Sequence, residues 1–271
     1  MVFIAGNFSA DEILCNIPPH ILRIDLQARR WKSDTDSEAA IVDQNDNGIP
    51  IEFVLLGFTP FFGNLGMRQQ EEFLRIAFIG VSPKHRLLPP RCVTTTIISG
   101  KSSQRNFISY FQTLYNNRIN CASVITSTKF VSKSFSERNP VTGEDGNKIN
   151  YNVLEFKDRP ASTDDEKALL ADIDTWLKDK ANELLPATLR SHIPGSNLVE
   201  LPLGADHTEI KQRFIAENPQ GQQASLAAMD APRLASAVDA PATPVPEVPS
   251  AKDRKSFELT DEQAKKLGID F

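Results

Sequence analysis

The chain has 271 residues, 40% of them hydrophobic, and a formal net charge of −5. Its three cysteines, Cys15, Cys92 and Cys121, fall at wide, uneven spacing and give neither a disulfide framework nor a zinc-ligand pattern. No uncharged apolar stretch approaches the roughly 20 residues that a membrane-spanning helix needs, because the longest apolar run, Ile51 to Phe62, already holds Glu52 and Pro60.

The N-terminus, MVFIAGNFSADEILC, lacks a basic region and meets Asp11 and Glu12 early, so it does not read as a secretory signal, and a cytoplasmic protein is expected. Residues 1–47 give no clear element, and whether they join the core stays open. Asp43-x-Asn45-x-Asn47-Gly48 matches the opening of a calcium-binding EF-hand loop, but the twelfth position is Val54 where a bidentate Glu is required, so a polar turn is expected. Ile51–Phe62 is β-branched and aromatic, bounded by Pro50 and Gly63, and predicts a buried strand. Phe73–Val81 and Cys92–Ser99 predict two more, the second carrying a run of threonines.

After Gly100 the apolar period changes. Phe107, Ile108, Phe111, Leu114 and Tyr115 follow helical spacing behind Ser102 and Ser103, which predicts an amphipathic helix over 103–116 with Gln104, Arg105, Gln112 and Asn116 outward. Strands over 122–135 and 149–156, joined by a Gly-, Pro- and Asn-containing connector, predict a long hairpin. Thr163-x-x-Glu166 is a capping box for a helix whose stripe of Leu169, Leu170, Ile173, Trp176, Leu177 and Leu184 is expected to end before Pro186. A short helical piece is expected over 206–217.

From Gln220 to Ala251 the chain is Ala, Pro, Gln and Ser with few large apolar side chains, too few to offset the entropy of ordering, so disorder is expected. The final FELTDEQAKKLGIDF differs: Thr260 with Gln263 is a capping box and Gly268 a stop signal, so a short helix ends in Ile269, Asp270 and Phe271. The expected architecture is a mainly β fold with two or three helices (α+β) over 1–217, a linker over 218–256 and an interaction peptide over 257–271.

Charge carries the functional signal. Residues 1–160 hold 18 Lys and Arg against 16 Asp and Glu, and residues 161–271 hold 12 against 19. Between Phe73 and Ser136 stand nine cations (Arg75, Lys84, Arg86, Arg91, Lys101, Arg105, Arg118, Lys129 and Lys133) and no carboxylate, the pattern of a surface that meets phosphate. Binding a single strand needs cations along the backbone path and flat side chains for bases to stack on. Lys129-Phe130 and Lys133-x-Phe135 supply both, and Trp31, beside Arg29, Arg30 and Lys32, is a further stacking candidate. Phe130 and Phe135 differ by five positions and so face opposite sides of a regular strand.

Other chemistries find less support. Gly100-Lys101-Ser102 resembles the end of a phosphate-binding loop, but Thr95 stands where its first glycine belongs. The histidines (His20, His85, His192 and His207) are isolated, with no nucleophile beside them. Asp145 followed by Glu155-x-Lys157 resembles the metal-binding core of restriction-endonuclease-like nucleases, in which two carboxylates hold Mg²⁺ and a lysine orients the attacking water. That alternative stays open, as does a structural or scaffolding protein of a phage or plasmid. No cofactor is expected.

The basic β-rich core, the Pro-rich linker and the terminal Ile269-Asp270-Phe271 together resemble, in plan, the single-stranded DNA-binding proteins of bacteria and phages. The resemblance implies an OB-fold-like barrel capped by the helix between its third and fourth strands, binding of single-stranded DNA or RNA, docking of a replication or repair protein on the C-terminal tip, and homo-oligomerisation as an open question.

Overall fold

The structure is a computed structural model that describes residues 12–36, 38–138, 145–179 and 181–219. Three short strands come first: β1 (His20–Asp25), β2 (Arg30–Ser33) and β3 (Ala40–Ile41). They are followed by β4 (Glu52–Leu65), β5 (Arg68–Ser82), β6 (Val93–Ile98), α1 (Lys101–Asn116), β7 (Ile125–Arg138) and β8 (Asp145–Arg159). Two helices, α2 (Asp164–Asp179) and α3 (Ala181–Arg190), then β9 (Ser196–Glu200) and α4 (Thr208–Glu217), complete the described chain. The fold is therefore mainly β, with four helices rather than two or three among the described residues. No helix among those residues is long and apolar enough to cross a membrane.

One sheet runs in the order β3-β2-β1-β6-β5-β4-β7-β8 and curls strongly into a half-barrel, with β9 added along the far end of β4. All neighbours are antiparallel except β1 and β6. Alternation along β4 and β5 builds two cores on opposite faces. Phe53, Leu55, Leu74, Ile76 and Phe78 point into the curl, where they meet Leu22, Trp31, Ile41, Leu154 and the apolar face of α1. Val54, Leu56, Ala77 and Ile79 point the other way, against Ile173 and Trp176 of α2 and Leu189 of α3. A register shift between Leu55 and Gly57 resets the parity of β4 and brings Phe58 round to the α1 face, 5.4 Å from Phe107 and 4.8 Å from Phe111 between ring centres.

The N-terminal segment is part of this core. Leu22, Trp31 and Ile41 are fully buried, although β2 and β3 are too short to stand out from their polar surroundings in sequence. The Asp43–Gly48 segment is a turn tied by the Asp43 carboxylate, which accepts from the backbone N–H of Asn45 and Asn47 at 2.8 and 2.9 Å. Gly48 is required there because a Cβ would lie 1.9 Å from the Arg29 carbonyl oxygen.

Helix α1 begins two residues earlier than expected, with Gly100 as its N-cap and no side-chain cap. Ser103 serves the sheet instead: its hydroxyl accepts from the Leu154 N–H at 3.0 Å, and Asn106 donates to the Leu154 carbonyl at 2.9 Å. Both backbone groups belong to the open edge of β8, so α1 covers an edge that would otherwise recruit another strand. Gln104 points inward, donating to the carbonyls of Glu72 and Ile98, while Tyr115 points outward and is 74% exposed, each the reverse of its expected placement. The box at Thr163 and Glu166 forms reciprocally, at 3.2 and 3.3 Å. The expected stop before Pro186 does not hold: helical residues are described over Asp164–Asp179 and Ala181–Arg190, so Pro186 lies inside α3, where its missing N–H costs a single bond.

Candidate nucleic-acid interface

The nine cations of residues 73–136 do not share one surface. Arg75 is 1% exposed, on the β5 face that α3 covers. Its guanidinium donates to the carbonyls of Leu189 and Ser191 at 3.1 and 2.6 Å, to the Ser191 hydroxyl at 3.0 Å and to Thr95 Oγ1 at 3.3 Å. It thus closes the C-terminus of α3, where a cation complements the helix dipole, and burial pulls its pKa down to about 10. Its expected role as a phosphate ligand is corrected: this arginine has no path to solvent. Trp31 is corrected likewise, being fully buried with its ring edge-on to Phe78 and Phe130 at 6.5 and 6.2 Å. Arg91 pairs with Asp172 of α2 at 2.8 Å.

Lys84 and Arg86 are exposed in the β5–β6 loop, and Lys101, Arg105 and Arg118 are exposed on or just after α1. The remaining cations come together on the β7–β8 hairpin. Register sets Ser127 opposite Lys157, Lys129 opposite Glu155, Val131 opposite Val153, Lys133 opposite Tyr151 and Phe135 opposite Ile149. Side chains of directly opposed residues share a face, so the odd-numbered face holds Lys129, Lys133, Lys157, Tyr151 and Phe135 together. Lys129 and Lys157 are exposed, Lys133 lies 3.1 Å from Glu155, and Phe135 is 48% exposed with its ring edge-on to Tyr151 at 5.9 Å.

The opposite face of the same hairpin is the inner one. Thr126 bonds the Tyr110 hydroxyl at 2.7 Å, Thr128 donates to the Ile51 carbonyl at 2.8 Å, and Phe130 packs with Leu154 in the core. Burial pushes the Tyr110 phenol up to about 12, so it stays neutral. Phe130 is therefore a core residue and not a stacking platform, whereas Phe135, on the other face, remains available. Tyr151, which sequence reasoning passed over, becomes visible once Lys133 is paired with its cross-strand neighbour.

The root of the hairpin is anchored by charge. Arg159 binds Glu52 of β4 bidentately, at 2.9 and 2.6 Å, and also Glu166 at the start of α2, at 3.0 and 2.7 Å. The guanidinium is the leading cause of a Glu166 pKa lowered to about 2.

The alternative of Asp145, Glu155 and Lys157 as a metal centre does not assemble. Asp145 and Glu155 lie ten residues apart on one continuous strand, which at about 3.3 Å per residue separates their backbones by roughly 30 Å. Two carboxylates on one metal ion need to be within a few ångströms. The linker beyond Pro219 and the terminal Ile269, Asp270 and Phe271 lie outside the described residues.

Comparison with protein-family models, with curated proteins and with solved structures gave no match.

Proposed function

We propose that the protein binds single-stranded nucleic acid, DNA or RNA, with little sequence preference, on the outer face of the β7–β8 hairpin. The observation that carries this reading is the register that puts three lysines and two aromatic rings on one face of a ribbon whose other face is core as far as Phe130. Lysines on a flexible stem suit a phosphate path of no fixed register, and rings stack on any base, so affinity without sequence preference is the expected result. The five strands β4 to β8, with α1 between the third and fourth of them and packed against the last, support an OB-fold-like reading of this part of the half-barrel. The C-terminal Ile269-Asp270-Phe271 is proposed as a separate docking tip for a replication or repair protein.

Charge bears on the role of the tail. Residues 161–219 carry 11 acidic and 6 basic side chains, and residues 220–271 carry 8 and 6. Most of the acidity of the C-terminal third thus resides in the folded part, chiefly α2, so the linker is a weak electrostatic competitor for the lysine face and its deletion changes affinity little.

Fluorescence anisotropy with labelled single-stranded and duplex oligonucleotides across a salt series tests the proposal. Tighter binding of the single strand, weakening as salt rises, is expected. No binding at low salt overturns it, and binding that ignores salt favours a protein-scaffolding role over phosphate recognition.

A further inference from the structure

A cleft of about 700 Å³ opens between the β1–β2 turn and β8. Its walls come from segments far apart in the chain: Arg23, Asp25 and Lys32 on one side, Asn150 and Tyr151 on the other, and Arg68 beside Ser99 at the end. Asn152 fixes the separation of the walls, since its amide donates to the Leu26 carbonyl at 2.9 Å and accepts from the Ser132 hydroxyl at 2.6 Å. The hairpin is therefore clasped to the β1–β2 turn, and the space between them is part of the fold.

The volume is that of a small-molecule site, while charged, amide and hydroxyl side chains on the walls disfavour an apolar occupant. Three cations line it against two carboxylates. Lys32 pairs with Asp25, Arg23 with Asp34, and Arg68 with Glu71 at 2.9 Å. The Arg23 and Arg68 side chains are 65% and 47% exposed, and ion pairs so open to water are weak enough for a phosphate to share or displace. Arg68 uses only one of its terminal nitrogens, for Glu71 and for the Ser99 carbonyl at 3.3 Å, so its fork has donors to spare. Tyr151 stands where the two surfaces meet: it borders the cleft between Asn150 and Asn152, while its ring lies on the other face against Phe135.

We infer that this cleft is a nucleotide subsite, seating one unit of a single strand that crosses from the outer face of the hairpin, with the phosphate held by Arg68 and Arg23 and the base beside the Asn150 amide. The inference rests on the function proposed above. It adds a ligand class, a nucleoside monophosphate unit, and a second set of residues that none of the expected sites included. The Asn150 amide offers both a donor and an acceptor to whatever base edge enters, which suits a site without strong base preference.

The test uses the full chain, a labelled oligothymidylate, and the same oligonucleotide carrying one photoreactive 5-iodouracil, with cross-links mapped by mass spectrometry. Cross-linking to residues 23–34 or to Arg68 and Ser99 is expected, and Arg23→Ala and Arg68→Ala each weaken oligonucleotide binding about three- to tenfold with unchanged melting temperature. Arg68→Ala also shortens the salt slope by about 0.7, the value for one fewer neutralised phosphate on a single strand. Thymidine monophosphate alone is expected to compete only at millimolar concentration. If both variants bind the oligonucleotide as the unmodified protein does and cross-links map only to Tyr151 and Phe135, the subsite is refuted while the lysine face stands. If the unmodified protein binds no oligonucleotide, both fall. If the free nucleotide binds tightly and the oligonucleotide does not, the cleft serves a soluble nucleotide and the inference of a strand subsite is wrong.

Discussion

Two hairpins of nearly equal length make up most of the sheet, and the rest of the chain covers them in opposite ways. The β4–β5 pair, 14 and 15 residues, is covered on both faces, by α1 and β1–β3 on one and by α2 and α3 on the other. The β7–β8 pair, also 14 and 15 residues, joins β4 only at its root, where Ser127 and Thr126 pair with Glu52 and Phe53. Beyond that root one face meets the core as far as Phe130, and the other presents Lys129, Lys133, Lys157, Tyr151 and Phe135. The first is a near-continuous apolar run and the second an alternation of hydroxyl, apolar and basic residues. Equal strand length therefore says nothing about role, and what separates the structural ribbon from the one proposed to bind is how many of its faces the rest of the chain covers.

Substitutions matched between the hairpins sharpen the contrast. Phe78→Ala on β5 removes a fully buried ring that meets Phe53 at 4.5 Å and Trp31 at 6.5 Å, and should cost about 4 kcal/mol of unfolding free energy in a denaturant titration. The next effect is that of Arg75→Ala, which strands the α3 carbonyls and should cost about 3 kcal/mol while the folded protein keeps its full nucleic-acid affinity. A loss of affinity with stability intact would return Arg75 to the binding surface.

Within the β7–β8 hairpin, the two phenylalanines divide the same way. Phe130→Ala should lower stability by about 2–3 kcal/mol, since the ring packs on Trp31. Phe135→Ala should leave melting nearly unchanged and weaken binding by about 1–2 kcal/mol, the worth of one stacked base. Identical behaviour of the two variants would mean that the faces are not distinct.

The smallest effect is on pH dependence. Glu166 titrates near 2 in the folded protein against about 4.3 for an unperturbed Glu, so its ionised form is favoured by folding. That contribution is fully present above about pH 4.5 and fades as pH falls toward 2. Arg159→Met should flatten this acid limb in melting curves taken from pH 5 to pH 2, because the guanidinium is the main cause of the shift.

The apolar runs 51–62, 73–81 and 92–99, the helix behind Gly100, the long hairpin and the capping box at Thr163 were legible in the sequence because each carries a local period or a local bond. The strands β2 and β3 were not, since four and two residues are too few to show a period and their burial comes from partners elsewhere. Counting charge along the chain overstated the basic surface. Arg75 sits in a strand with both faces covered, and the near-continuous apolar run around it, unlike the alternation around Lys129, is the local signal that a count of charges passes over. Parity alone placed Phe130 and Phe135 on opposite sides, but Tyr151 needed the register, and Arg23 and Arg68 needed the half-barrel to bring them to one cleft.

The most direct test of the lysine face is the salt slope of oligothymidylate binding in Lys129→Ala/Lys133→Ala/Lys157→Ala compared with the unmodified protein. With each neutralised single-strand phosphate worth about 0.7 in the slope of log K against log salt, the triple variant should lose about 2 from the slope and at least tenfold in affinity at low salt. Its melting temperature should hold, because Lys129 and Lys157 are exposed and Lys133 forms only a half-exposed pair with Glu155. A slope and affinity equal to those of the unmodified protein would contradict the assignment of this face to nucleic acid.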